Sequence, residues 1–495
     1  MVSISDLLTL RFVALIFFGS LLGLVVGALP GLSVTMATAL LVSITMPWPM
    51  TDALAVIMGV YVVGVYAGAI SAILVNIPGA PSSVATTLDG FPLARQGRAK
   101  TALYTAAIYS FIGTIIGLVI LLTVAKPVTK LALAFTPFDY FLFALFGLTT
   151  VGSLTSKSFL KGLISAFIGV LLGLIGMDPV FGVGRFSFGS TSLLGGINLV
   201  AALIGLFGFS EVLTQVSQRN LGAIAEEITG ERVCFREILK HWRLSLQSAL
   251  IGTFVGALPG VGGPIAALMA YDMAKKTVKK PSKPFGEGAV EGIVASESAN
   301  NACIGGALIP MLTMAIPGDA VTAVMLAAFY VHGLRPGPTI FIQTPELFYA
   351  IVVSGFVGAF CVLLLAVSLA PFLAGITNIP KSILLPVISV LCVIGAYAVN
   401  NSLFDALVMV LFGVLGFLMR LRDYSVAPMV LGFVLGNMMD FNLRKAIALA
   451  QTSDNFWLAL IGRPITLTLT GILVFWVVYN VRQVRASSEP GKSRI

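Results

Sequence analysis

Of the 495 residues, 58% are hydrophobic and 10% are charged, far below the roughly 25% charge of a soluble globular domain. That balance excludes a soluble enzyme and places the chain in lipid, with no long polar stretch left over for a separate catalytic domain. The net charge of +9, from 30 Lys and Arg against 21 Asp and Glu, is the excess that cytoplasmic loops of membrane proteins carry, so it is not read as a nucleic-acid footprint.

In chain order, apolar segments are predicted at 12–29, 53–77, 102–125, 141–154, 162–177 and 193–209, followed by a polar stretch to residue 243. The pattern then resumes at 251–270, 293–316, 321–331, 348–376, 383–399, 407–421 and 465–479. These runs are continuous and longer than the roughly ten-residue alternating strands of a barrel, so they predict helices. Several are short or interrupted by Pro and Gly, which predicts about ten to twelve crossings plus re-entrant pieces. The first apolar stretch has no basic region before it, so it is expected to stay in the mature protein. Basic residues gather at Arg95, Arg98 and Lys100, at 219–243, at 275–283 and at 482–494, which puts those loops and the C-terminus on the cytoplasmic side. Four scattered cysteines and two histidines, His241 and His332, offer no metal or redox spacing.

Two short motifs occur twice. Gly27-Ala28-Leu29-Pro30-Gly31 returns as Gly256-Ala257-Leu258-Pro259-Gly260, 229 residues on, and Ile77-Pro78-Gly79 returns as Ile316-Pro317-Gly318, 239 residues on. Ser110, Pro127 and Gly169 match Ser354, Pro371 and Gly413 in the same order. The chain therefore divides into a first transmembrane repeat with its cytoplasmic linker, 1–235, and a second repeat, 236–495. Such duplication is frequent in secondary transporters, whose substrate lies where the repeats meet. The basic linker and the basic tail close equivalent halves, which leans towards parallel repeats and leaves an inverted pair open.

The Pro-Gly motifs interrupt helices at membrane depth and free backbone groups that need a ligand, water or protein partner. A helix starting after a break turns its positive end into the gap and suits an anion. The candidate substrate-binding residues are therefore Pro30, Gly31, Ser33, Thr35, Asn76, Pro78, Gly79, Ser82, Ser83 and Thr86 in the first half, and Gly260, Gly262, Gly263, Pro317 and Gly318 in the second. Any one of the hydroxyls could equally be a helix cap. The second half supplies charge: Glu297, with Asn300 and Asn301 on an adjoining helical face, then Asp319 and Thr322, form the candidate site for a co-transported Na+ or H+. Glu287 and Glu291 are expected at the interface, pairing with the lysine-rich loop, and 88–98 is expected to be a cytoplasmic loop.

The duplicated Gly-Ala-Leu-Pro-Gly, the run Thr86-Thr87-Leu88-Asp89-Gly90, Ala94-Arg95-Gln96-Gly97, and Glu297 to Ala302 leading to Pro310 and Ile316-Pro317-Gly318 resemble the large membrane subunit (TctA) of the tripartite tricarboxylate transporters. The resemblance covers nearly the whole chain. It implies a bacterial inner-membrane permease that works with a small integral membrane subunit (TctB-like) and a periplasmic solute-binding protein (TctC-like). It implies import of small organic carboxylates, driven by a cation gradient and without a bound cofactor. No Gly-x-x-x-x-Gly-Lys-Ser/Thr loop or His-Glu-x-x-His pair is present, in keeping with neither ATP-driven transport nor a membrane hydrolase. Asp319 departs from the small hydroxyl residue more usual after that Pro-Gly. An antiporter or channel independent of a binding protein is the competing expectation.

Overall fold

The computed structural model describes residues 8–29, 32–154, 158–178, 182–217, 231, 233–376 and 381–488. Helix is what an apolar chain forms in lipid, because no water is there to satisfy a free amide or carbonyl. Among these residues the one strand ladder is β1 (Gly176–Met177) with β2 (Gly184–Arg185). The helices are α1 (Leu10–Ala28), α2 (Val34–Thr45), α3 (Met50–Val75), α4 (Val84–Leu93), α5 (Ala99–Leu133), α6 (Pro137–Leu154), α7 (Phe159–Gly173), α8 (Thr191–Leu194) and α9 (Leu199–Ser217). There follow α10 (Phe235–Leu239), α11 (Trp242–Gly256), α12 (Gly262–Thr277), α13 (Val290–Met314), α14 (Ala320–Val331), α15 (Ile340–Gln343) and α16 (Pro345–Ile376). The last are α17 (Lys381–Asn400), α18 (Leu403–Leu421), α19 (Val426–Gln451), α20 (Phe456–Ile461) and α21 (Pro464–Ser488).

The protein is thus all-α and polytopic. Among the described residues eight helical stretches are long and apolar enough to cross a membrane: α1, α3, Pro81–Leu133, α9, α16, α17, α18 and α19. Four shorter apolar helices accompany them: α2, α7, α14 and Pro464–Asn480. Three features differ from the sequence expectation. The segment read at 251–270 is two helices, α11 and α12, parted at the second Gly-Ala-Leu-Pro-Gly. The expected loop at 88–98 is helical, α4 running on through the wide turn Ala94–Arg98, where Gly97 takes φ 76°. Helix α19 was not expected, since Asn437, Asp440, Asn442, Arg444 and Lys445 dilute the apolar signal, whereas α2 is the helix expected to start at Ser33 and Thr35 after the first break, its apolar run to Thr45 hidden by Thr and Ser.

The chain forms two compact units, Met1–Thr129 with Val200–Phe417 and Lys130–Leu199 with Leu418–Ile495, each drawing on both sequence repeats. In the first unit α3 and α13 are the interior helices. Every residue of α13 is buried, as is every residue of α3 from Asp52 on, so neither keeps a polar outer face. Glycines allow their partners to lie against them. Gly23 and Gly27 of α1 rest on the backbone at Val60 and Gly64 of α3, and their repeat equivalents Gly252 and Gly256 of α11 rest on Ala299 and Cys303 of α13. Close approach through small residues is how helices associate where lipid removes the hydrophobic drive.

Helix α5 crosses α13 in the same manner, Gly113 against Ser298 and Gly117 against Ala302 and Gly305. A side chain at Gly305 would enter the Gly117 backbone. Gly305→Val is therefore expected to lower the stability of the detergent-solubilised protein by roughly 2–3 kcal/mol through overpacking, read as a drop in apparent Tm.

In the second unit α7 lies against α19, Gly169 and Gly432 each facing the other helix's backbone. Its polar interior is paired. Arg185 contacts Asp178 at 3.0 Å and Asp440 at 2.9 Å, and Arg444 contacts the same two acids at 3.0 and 2.9 Å. Asp139, fully buried, accepts from Thr136 at 2.8 Å and from Thr466 at 2.5 Å.

Candidate functional site

The two Ile-Pro-Gly breaks have one geometry. Helix α3 ends on Asn76 at φ 56° and α13 ends on Ala315 at φ 58°, equivalent positions in the two repeats and both left-handed. Such a cap turns the chain sharply, and Pro then bars continuation of the helix. The glycine of each motif is packed on the other motif of its own half: Gly79 lies on the Gly27 carbonyl and Gly318 on the Gly256 carbonyl. Gly260 donates its amide to the Pro317 carbonyl at 3.2 Å. In each half the two breaks are therefore neighbours, and only glycine fits at their contact.

Glu297 sits on α13 between these breaks and is fully buried. Thr86 of α4 donates to its Oε1. Ser110 of α5 donates to Oε2 at 2.9 Å, and Asn301 Nδ2 reaches Oε2 at 3.3 Å, Ser110 Oγ at 2.8 Å and the Glu297 carbonyl at 3.0 Å. Ser296 lies 3.2 Å from Thr86 Oγ1. The first repeat thus supplies hydroxyls to a carboxylate of the second. Neutral donors surround it, and Asn301 Oδ1 is a buried acceptor without a protein hydrogen bond. A buried charge held only by neutral dipoles is costly.

A second cluster forms where α12 begins. Ser82, in the turn Pro81–Ser83, comes to Gly263, Asn300 lies over the same glycine, and Gly262 adjoins Asp319. Asp319 is the N-cap of α14: its Oδ1 accepts from Thr322 N and Thr322 Oγ1, each at 2.8 Å, and the Thr322 hydroxyl is 2.9 Å from the Asp319 amide. Its Oδ2 accepts from Tyr61 of α3. Asp319 and Thr322 therefore have an evident capping role.

The structure brings together Ser82, Gly262, Gly263, Asn300 and Asp319, and separately Thr86, Glu297 and Asn301. Pro78, Pro317 and Gly318 shape the breaks and have no side-chain donors, Gly260, at φ 70°, does the same, and Asn76 is the exposed left-handed cap of α3. Ser33 caps α2 by accepting from Met36 N at 3.1 Å, and Thr35 is buried in that helix's first turn. Ser83 is buried beside Gly68, its hydroxyl without a protein hydrogen bond. Pro30 and Gly31 lie outside the described residues.

Glu291 is placed differently from expectation. It is 3% exposed and takes the Ser282 amide and hydroxyl, at 3.0 and 2.6 Å, with His241 at 3.8 Å, instead of lysines. Sequence reasoning also missed Tyr61 and Tyr66, which sit inside the apolar run of α3. Tyr66 is buried with its hydroxyl unpaired. Asp89 was read as part of a loop. It is fully buried, accepting from the Gly286, Gly288 and Ala289 amides at 2.9, 2.9 and 2.8 Å and from the Tyr271 hydroxyl at 2.8 Å.

An all-α, multi-pass membrane protein with helices broken at equivalent places around a buried carboxylate has the architecture of a solute carrier. Residues 13–431 match the model of the tripartite tricarboxylate transporter TctA family, and the chain belongs to that family. It is similar, at 34% identity over 93% of its own length and 91% of the relative's, to an uncharacterised 52.8 kDa protein in the TAR-I ttuC' 3'region of Agrobacterium vitis. An uncharacterised protein in the TAR-II ttuC' 3'region of the same organism matches at 34% identity over 46% of this chain and 92% of that one. No solved structure matches. The family is that of the large membrane subunit of transporters that also have a small membrane subunit and a periplasmic binding subunit.

Proposed function

We propose that this chain is the permease of a binding-protein-dependent symporter in the bacterial inner membrane, its C-terminus cytoplasmic, importing small organic carboxylates with Na+ or H+. A small TctB-like subunit and a TctC-like periplasmic protein complete the system. The observation that carries the reading is Glu297, a fully buried carboxylate with the hydroxyls of Thr86 and Ser110 from the first repeat and the carboxamide of Asn301 from the second around it. Oxygen donors about one carboxylate suit a small hard cation or a proton. Binding there neutralises the charge, so the occupied site is cheaper to bury than the empty one. That difference couples ion occupancy to the movement of the two broken-helix motifs.

The test is uptake of radiolabelled mono-, di- and tricarboxylates by cells lacking their own system and expressing this chain with both partners. Accumulation of one acid above its outside concentration is expected. Imposing or collapsing a Na+ gradient, and separately adding a protonophore, names the ion. Ion flux through the chain alone, with no acid accumulated when all three subunits are present, would replace this reading with the antiporter or channel.

A further inference from the structure

Helices α11 and α12 form a hairpin that does not cross the membrane. At 15 and 16 residues they rise about 22–24 Å, short of a hydrocarbon core of roughly 30 Å. Their outer ends return to the start of α13: His241, just before α11, lies 3.8 Å from Glu291, and Tyr271 of α12 stands against Gly292. Their shared turn meets α13 further along, Gly256 at Cys303 and Gly263 at Asn300. The outward faces change character along the pair. Helix α11 exposes Phe254, Leu250, Leu246 and Trp242, four residues apart, and then Arg243. Helix α12 exposes Leu268 and Met269, then Asp272, Lys275 and Lys276. At the same end of both helices, apolar surface gives way to charge with an aromatic at the change, which marks the boundary between hydrocarbon and headgroups.

Just past this boundary, 275–283 holds five lysines and no acid. Little of that charge is used inside the protein. Lys276 pairs with Asp272 at 2.5 Å and Lys283 donates to Gln96. Lys275, Lys279 and Lys280 are exposed and form no ion pair among the described residues. Glu287 and Glu291, the next acids along the chain, pair with none of the five. Arg243, 5.3 Å over the Trp242 ring, adds a further cation at the head of α11. Cations crowded without an acid are relieved by an anionic surface. The apolar stripe that leads up to them selects the kind of anion: a soluble phosphate or a nucleic acid has no use for Leu268, Met269 and Phe254, whereas an acyl chain does.

We propose that the charged end of the α11–α12 hairpin seats anionic phospholipid headgroups, Lys275, Lys279 and Lys280 supplying the charge, Arg243 and Trp242 anchoring the headgroup level, and the exposed Leu, Met and Phe meeting the acyl chains. The hairpin is packed on the rest of its unit through polar contacts. Ser245 of α11 lies 2.7 Å from Ser298, and Tyr271 of α12 donates to Asp89 at 2.8 Å. A lipid that binds the folded hairpin and not the unfolded chain therefore raises the melting temperature of the whole. The full-length chain in a neutral detergent is melted against phosphatidylglycerol, phosphatidylcholine and glycerol phosphate, the last offering the phosphate without the chains.

Phosphatidylglycerol should stabilise the protein at a lower concentration than phosphatidylcholine, the gap should narrow as salt is added, and glycerol phosphate should have no effect. Changing Lys275→Gln, Lys279→Gln and Lys280→Gln together should raise the phosphatidylglycerol concentration needed by roughly a hundredfold, at about fivefold for each lysine. The lipid-free melt of that variant should stay native, since exposed substitutions cost little. Arginine at the same three positions should preserve the native response. An equal response of the native chain to both lipids, or an unchanged response of the glutamine variant, refutes the seat. So does stabilisation by glycerol phosphate as strong as that by the lipid. As large a loss with Lys126→Gln and Lys130→Gln, exposed lysines of α5 outside the hairpin, would assign the effect to net charge and overturn the proposal. If the glutamine variant keeps its lipid response and instead loses the small membrane subunit on co-purification, the run docks a protein and the lipid seat falls.

Discussion

Glu297→Gln is expected to abolish concentrative uptake while leaving a folded, correctly inserted protein. The substitution keeps the shape and removes the charge. Thr86 and Ser110 are hydroxyls and can turn from donor to acceptor, so a carboxamide finds partners where the carboxylate had them. Glu297→Ala would instead leave the Thr86 and Ser110 hydroxyls facing a void, at about 1–3 kcal/mol for each buried group that loses its acceptor, while Asn301 Nδ2 keeps the Ser110 oxygen and the backbone carbonyl of residue 297. Comparing the two variants separates charge from packing. Removing one member of a buried charge pair costs roughly 3–5 kcal/mol, so ion binding should weaken at least about a hundredfold. The measurement is accumulation under an imposed gradient beside gradient-free exchange of labelled acid, with Tm as the control for folding. Accumulation at the native level would remove Glu297 from the coupling site.

The duplicated breaks were legible because their motifs are identical in letters, and the structure shows why those letters matter: Gly79 and Gly318 must lie on the carbonyls of Gly27 and Gly256. The helical, membrane-spanning character followed from composition, as lipid allows an open chain little else. The ring of side chains about Glu297 was only half legible. A carboxylate inside an apolar run stands out alone, but Thr86 and Ser110 lie 211 and 187 residues away along the chain, and one chain's residues carry no record of such pairing. Helix α19 escaped because Asp440 and Arg444, which pair with Arg185 and Asp178 across loops, look in one dimension like a polar connector. Asp89 escaped for a related reason. Asp-Gly followed closely by Pro92 reads as a turn, whereas α4 carries Pro92 in its last turn and turns Asp89 inward.

Asp89→Ala is expected to give the largest loss of stability of any single substitution outside the carboxylate site, at least about 3 kcal/mol, because several charge-assisted hydrogen bonds go at once. One oxygen, Oδ1, gathers the amides of Gly286, Gly288 and Ala289, and Oδ2 takes the Tyr271 hydroxyl. Gly286 and Gly288 stand at φ 92° and 102°, conformations that turn successive amides towards one anion and that side chains rarely adopt. The carboxylate thus ties α4 of the first repeat to the start of α13, fixing the register at which Glu297 meets Thr86. Asp89→Asn keeps an oxygen for the amides and offers its NH2 to the Tyr271 oxygen, so its loss should be intermediate. The checks are Tm in detergent and the rate of proteolysis across residues 279–289, both ordered native, Asn, Ala. A native Tm for the alanine variant would mean that the α12–α13 loop holds its shape without Asp89. With the register loosened, the alanine variant should also lose uptake more steeply than it loses folded protein, because Thr86 moves with α4 while Glu297 moves with α13.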